Sequence, residues 1–168
     1  MPGVNYQYLS DENDRLDGML QQAVAQPDAI DRKPYAVFRK GLLRHIAVEE
    51  KIVLQTIARL QGGRQAAIAE RLRLDHGALV ALLVPPPTPS IVPTIRSILE
   101  VHNALEEQEG GLYQPLKRLA DPETEKVFGQ LKAAPDAPVL PHNERPGVLD
   151  ATRRAVARAG YEFKSVPQ

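Results

Sequence analysis

The chain has no cysteine among its 168 residues. That excludes thiolate metal ligands, disulfides and Cys-based redox chemistry, and it fits a cytoplasmic setting. It has no net charge either, since 21 basic residues balance 21 acidic ones. There is thus no electrostatic case for nucleic acid or an anionic membrane as partner. No apolar run reaches the ~20 residues needed to span a bilayer. Met1–Ser10 lacks a basic stretch followed by an apolar one, so no signal peptide is expected. Strand-like alternation is missing, and β-branched residues are not clustered. No Gly-rich phosphate loop and no Ser-His-Asp arrangement stands out.

What is present is helical periodicity over a length that suits one domain with a substantial core. A first helix is expected from near Ser10, or a few residues earlier, to about Ala25, with Leu9, Asn13, Leu16, Leu20 and Val24 on one face. Pro27–Pro34 reads as a loop. A second helix runs from about Tyr35 to Leu60, with Phe38, Leu42, His45, Ile46, Glu49, Val53, Ile57 and Leu60 inward, and Gly62-Gly63 end it. A third covers roughly Arg64 to Val84, with Ile68, Leu72, His76, Leu79 and Leu83 on one side, until Pro85-Pro86-Pro87 stops it.

The fourth begins near Ser90, read as its N-cap, with Pro93 in the first turn. Its face is Ile95, Ile98, Leu99, His102 and Glu106, with Gly110-Gly111 bending or ending it and Leu112–Leu119 a possible continuation. A shorter helix follows from Asp121-Pro122 to about Ala133, then a proline-rich connection, then an amphipathic helix over Pro146–Ala159. Four long helices with short connections predict an all-α fold, an up-down-up-down four-helix bundle over residues 1–120, with 121–168 as a C-terminal helical appendage.

Two segments stand out. His-x-x-x-Glu-Glu occurs at His45–Glu49–Glu50 and again at His102–Glu106–Glu107. Four residues along an α-helix is ~400° of rotation and ~6 Å of rise, so each His and its first Glu share a face. One such pair is ordinary surface chemistry. Here both pairs sit in apolar stripes, and the helix pairs that carry them repeat. Asn13, Leu16 and Leu20 match His76, Leu79 and Leu83 in phase.

The candidate metal ligands are therefore His45, Glu49, His76, His102 and Glu106. Imidazole and carboxylate hold iron, zinc or manganese, and burying an unpaired carboxylate costs several kcal/mol unless something compensates it. Divalent cations would do so, with a Glu from each repeat bridging them. Glu50 and Glu107 fall ~100° further round and are expected in an outer layer or at the surface. The other reading is a metal-free bundle whose polar core residues form a hydrogen-bonded network, acting as a regulatory or interaction module.

The ordered set, from the helix-one pattern through both His-x-x-x-Glu-Glu segments and Asp75-His76 to Leu112-Tyr113-Gln114-Pro115, resembles the hemerythrin-like, HHE cation-binding domain family over about Leu9 to Leu119. The resemblance implies a four-helix bundle with two carboxylate-bridged non-haem iron ions. It also implies dioxygen or a reactive small molecule as the ligand. His45, His76 and His102 would be terminal ligands, and Glu49 and Glu106 the bridges. The family's helix-one histidine falls on Asn13 and a second helix-three histidine on Val80, which puts the metal nearest helix one in doubt. Oligomerisation is left open, and a metal-binding protein is favoured over a turnover enzyme.

Weaker polar features complete the reading. His142 is expected on a surface loop, with a role as replacement ligand as the alternative. Tyr113 is expected to pack at the end of the bundle with its hydroxyl toward water, with a place lining the site, seven residues after Glu106, as the alternative. Arg71, Arg73, Arg153 and Arg154 are expected on solvated faces.

Overall fold

The structure is a computed structural model and describes residues 3–63 and 67–165. Among these residues it is all-helical with no strand: α1 Val4–Ala23, α2 Arg32–Val48, a π turn Glu49–Val53, α3 Leu54–Leu60, α4 Ala69–Leu82, α5 Ile91–Glu107, a 3-10 turn Gln114–Arg118, α6 Asp121–Ala133 and α7 Val148–Arg158. No helix among them is long and apolar enough to cross a membrane.

The boundaries follow local chemistry. α1 begins earlier than Ser10 because Asn5 and Leu9 are already buried, with the Asn5 amide donating to the Thr124 carbonyl at 3.2 Å. α2 begins at Arg32, capped by Asp31, whose carboxylate accepts from the Lys33 N–H at 3.0 Å. Pro34 is tolerated in that first turn, where N–H groups lack helical partners. Ser90 makes no cap. Thr88 Oγ1 accepts the Ile91 N–H at 3.1 Å instead. α4 starts at Ala69, and the expected start at Arg64 lies outside the described residues. Leu60, expected inward, is exposed.

α1 packs on α2, α4 on α5, α7 on α4 and α6 on α1. The α1–α2 approach is close at Gly41, where a Cβ would lie 2.6 Å from Leu16 Cδ2.

Two apolar clusters fill the interior. One gathers Leu16, Leu20, Phe38, Leu42, Leu79 and Ile98, with Val156 of α7. The other gathers Leu9, Val48, Val53, Leu72, Leu112 and Tyr113, with Val127 and Leu131 of α6. Between them, each long helix crosses from one cluster to the other at a polar residue. α1 does so at Asn13, α2 at His45 and Glu49, α4 at Asp75 and His76, and α5 at His102 and Glu106. All seven are buried. The polar residues thus form one layer inside the core, walled above and below by hydrocarbon.

Candidate metal centre

Glu49 sits at the start of the π turn, where the Leu54 N–H reaches back five residues to the Glu49 carbonyl. Such bulges accommodate one extra residue in a helix and concentrate at functional sites. Here two consecutive carboxylates meet one imidazole. Glu49 Oε2 lies 2.9 Å from His76 Nε2, and Glu50 Oε1 lies 2.6 Å from His76 Nδ1. Glu50 is thus not a detached surface group. Arg73, expected on a solvated face, reaches its other oxygen at 3.4 Å.

The second repeat has the same construction with an amide in place of the ring. Asn13 Nδ2 donates to Glu106 Oε2 at 3.2 Å and to Glu107 Oε1 at 2.8 Å. Asn13 and His76, matched in the repeat, each sit between a consecutive Glu pair.

Four residues converge. One ligand atom from each of Glu49, His76, His102 and Glu106 lies within 4.8 Å of all the others, and this group could hold a metal ion. His102 Nε2 is 2.7 Å from Glu106 Oε1 and 3.7 Å from Glu49 Oε2. The first contact is close but not aligned as a hydrogen bond, so the buried Glu106 Oε1 has no hydrogen-bond partner.

His45, the fifth candidate, lies on the other side of Glu49, with its Nε2 3.1 Å from Oε1. Each central carboxylate therefore shows one oxygen to each of two faces. One face has His76 and His102. The other has His45, Asn13 and Tyr113.

Tyr113 takes the second of its two expected places and lines the site. Its hydroxyl does not reach water. Tyr113 is fully buried, and the hydroxyl contacts Glu49 Oε1 and stands 2.9 Å from Glu106 Oε2 and 3.4 Å from His45 Nε2. The double glycine explains this. Gly110 adopts φ +78°, and a Cβ on Gly111 would lie 2.6 Å from the Glu106 carbonyl oxygen. The chain reverses there, and the Leu112 and Tyr113 N–H groups donate to the carbonyls of Leu105 and Glu106 at 3.2 and 3.0 Å. Leu112–Leu119 accordingly do not continue α5.

Asp75 is a site residue that the helical stripe does not mark. It is fully buried, and its Oδ2 lies 3.2 Å from His102 Nδ1. Arg71, also expected to be solvated, lies 3.1 Å from Asp75 and stacks over Tyr161 at 4.9 Å. This chain of Arg71, Asp75 and His102 turns Nε2 toward the carboxylates, as outer carboxylates do for histidine metal ligands. The i,i+4 spacing of Arg71 and Asp75 beside His76 was its signal.

His142 does not join the cluster. Its Nδ1 faces the Val84 carbonyl at 3.3 Å and its ring stacks on Tyr35. Val80 is on the exposed side of α4. Glu107 also bonds Ser10 Oγ at 3.1 Å.

Burial and charge oppose each other at the three histidines and at Glu49, and act together at Glu106 and Tyr113. Burial presses the imidazoles of His45, His76 and His102 toward neutrality, but facing carboxylates more than offset it. All three are raised, His102 furthest through Glu106 and Asp75. Glu49 is held well below the carboxylate range, because the His45 charge and the three imidazoles facing it outweigh its burial. Glu106 is raised, first by burial and then by the charge of Glu49. Tyr113 is pushed well up by burial and by both carboxylates.

Solvent approaches at Asn13. That residue lines both a surface groove of about 490 Å³, with Asp14, Asp17, Glu100 and Glu107 beside Arg96, and an enclosed void of about 10 Å³ against His45 and His102. The void has room for about one water-sized group.

Comparison with family models, with curated proteins and with solved structures found no match to this chain. The site's own chemistry therefore carries the functional reading.

Proposed function

We propose that this protein binds a redox-active divalent metal, iron by preference, in a hemerythrin-like four-helix bundle, and that it responds to dioxygen or another small reactive molecule. The observation that carries the reading is the convergence of Glu49, His76, His102 and Glu106 in a buried layer between two apolar clusters.

The donor set is imidazole and carboxylate without thiolate, which suits iron, manganese or zinc. Two carboxylates carry the charge that one divalent cation balances. Glu106 Oε1, buried without a hydrogen-bond partner beside a histidine nitrogen, is the kind of orphan that a cation resolves. Bound iron would supply a Lewis acid able to change oxidation state. The chain's own residues would orient it through Asp75 and exclude bulk water. Through the small void beside His45, they would admit only a small ligand.

A metal-free network is the second reading. It is favoured by one fact: Glu49 already faces three imidazoles and a phenol. Calorimetric titration of metal-free protein with Fe(II), Mn(II) and Zn(II), without air, separates the two. Metal binding predicts saturable uptake that His102→Ala abolishes. At free metal ~100 times Kd it predicts about 2.7 kcal/mol of added stability, or roughly 5–11 °C in Tm for a chain of this size. Absence of uptake for all three ions, with a Tm indifferent to chelator, would leave only the network.

A further inference from the structure

Glu49 and Glu106 offer two faces, but the faces are unequally furnished. On the first, one ligand atom from each of Glu49, His76, His102 and Glu106 lies within 4.8 Å of all the others, with His76 Nε2 2.9 Å from Glu49 Oε2 and His102 Nε2 2.7 Å from Glu106 Oε1. On the second, Glu49 Oε1, Glu106 Oε2 and His45 Nε2 also converge, and the hydroxyl of Tyr113 touches all three, at 2.9 Å from Glu106 and 3.4 Å from His45. The phenol oxygen therefore sits at the point where those three donors would share an ion.

It is anchored there. Tyr113 is fully exposed to no solvent, its backbone N–H is bonded to the Glu106 carbonyl at 3.0 Å, and its ring packs edge-on against Tyr6 at 6.1 Å. The fourth position on this face belongs to Asn13, whose amide nitrogen points at Glu106 Oε2. A donor N–H directed at the carboxylate oxygen serves a carboxylate and not a cation.

Charge agrees with the geometry. Glu49 and Glu106 together balance one divalent ion. Of the acids around them, Asp75 and Glu50 already face Arg71 and Arg73. On the other side Glu107 already accepts from Asn13 and Ser10, so a second divalent ion would bring two further positive charges into a layer walled by apolar clusters.

We propose that the site holds a single ion, on the His76–His102 face, and that Tyr113 excludes a second by filling the His45 face with its hydroxyl. Tyr113 thus sets the nuclearity of the centre. A neutral hydrogen-bond donor takes the place of a cation and ties both carboxylates to the reversal at Gly110-Gly111. The inference rests on the metal-binding reading above.

The test is metal content per chain. Full-length protein is stripped with chelator, reloaded anaerobically with excess Fe(II), freed of loose metal by gel filtration and measured by mass spectrometry of the metal. The wild type should carry about one ion and Tyr113→Phe, which keeps the ring and removes the hydroxyl, about two. Two ions in the wild type, or one in both proteins, overturns the proposal while leaving metal binding intact. No ion in either removes the metal-binding reading itself. If Tyr113→Phe does not fold, X-ray absorption of the loaded wild type decides: two imidazole ligands and no metal–metal shell supports a single ion, and a metal–metal shell near ~3.5–4 Å overturns it.

Discussion

Replacing Glu49 by glutamine removes one charge and almost no volume from the centre of the layer. Glu49 is completely buried and faces His45 at 3.1 Å, His76 at 2.9 Å and His102 at 3.7 Å, with the Tyr113 hydroxyl beside it. In metal-free protein, removing one partner of a buried ion pair costs about 3–5 kcal/mol. Two effects hold this case to the lower end. Glutamine still accepts and donates hydrogen bonds. Glu106, freed from the charge that raises it, ionises more readily and takes over part of the pairing. A loss of about 3 kcal/mol lowers Tm by roughly 6–12 °C.

The pH dependence has a definite shape. Glu49 is depressed below 4.5, so its contribution is complete above 4.5 and is lost as pH falls through its lower folded value. The imidazoles are raised above 6.5, so theirs is complete below 6.5 and is lost as pH rises through their higher folded values. The gap between wild type and Glu49→Gln should be widest between these limits and close on both sides. Scanning calorimetry of the metal-free proteins from about pH 4 to pH 9 measures it. Equal Tm values at mildly acidic pH, or a gap that widens as pH rises, would refute the charge network described here.

Further outcomes follow from neighbouring residues. Asp75→Ala should weaken metal binding by about 10–100-fold, because it frees the His102 ring. Titration calorimetry reads this, and unchanged affinity would deny Asp75 its orienting role. Gly111→Ala should destabilise by about 1–3 kcal/mol, since its Cβ would fall 2.6–2.8 Å from three backbone oxygens. A neutral effect in thermal melts would mean that the reversal tolerates side chains. Leu79→Ala, in the apolar wall and fully buried, should cost about 2–5 kcal/mol in denaturant unfolding. Metal affinity should rise with pH through the imidazole range, because raised histidines must release protons to bind.

Much of the layer was legible because helical phase is a strong signal. His45, Glu49, His76, His102 and Glu106 each lie on an apolar stripe, and all five are buried. The internal repeat also foretold the matched positions of Asn13 and His76. What periodicity could not reveal was departure from the α-helix. The π turn at Glu49–Val53 has no residue signature, and it is where Glu49 and Glu50 together reach His76. The spacing of Tyr113 from Glu106 offered the site only as the lesser alternative, and it is the reversal at Gly110-Gly111 that brings its hydroxyl there. A single buried stripe on its helix does not take in Asp75. α4 packs against both α5 and α7, so its buried arc is wide enough to take in Asp75 and His76 together. Arg71 and Arg73 flank that arc and turn to Asp75 and Glu50, where a single stripe would leave them facing solvent.

The most direct measurement of the metal site is anomalous X-ray diffraction from crystals of iron-loaded protein, collected on both sides of the iron edge. The expected map has a peak bounded by Glu49 Oε2, His76 Nε2, His102 Nε2 and Glu106 Oε1, and His102→Ala crystals lose it. A fully loaded crystal with no peak among those four residues, or with its iron bound only elsewhere, would contradict a metal centre in this layer.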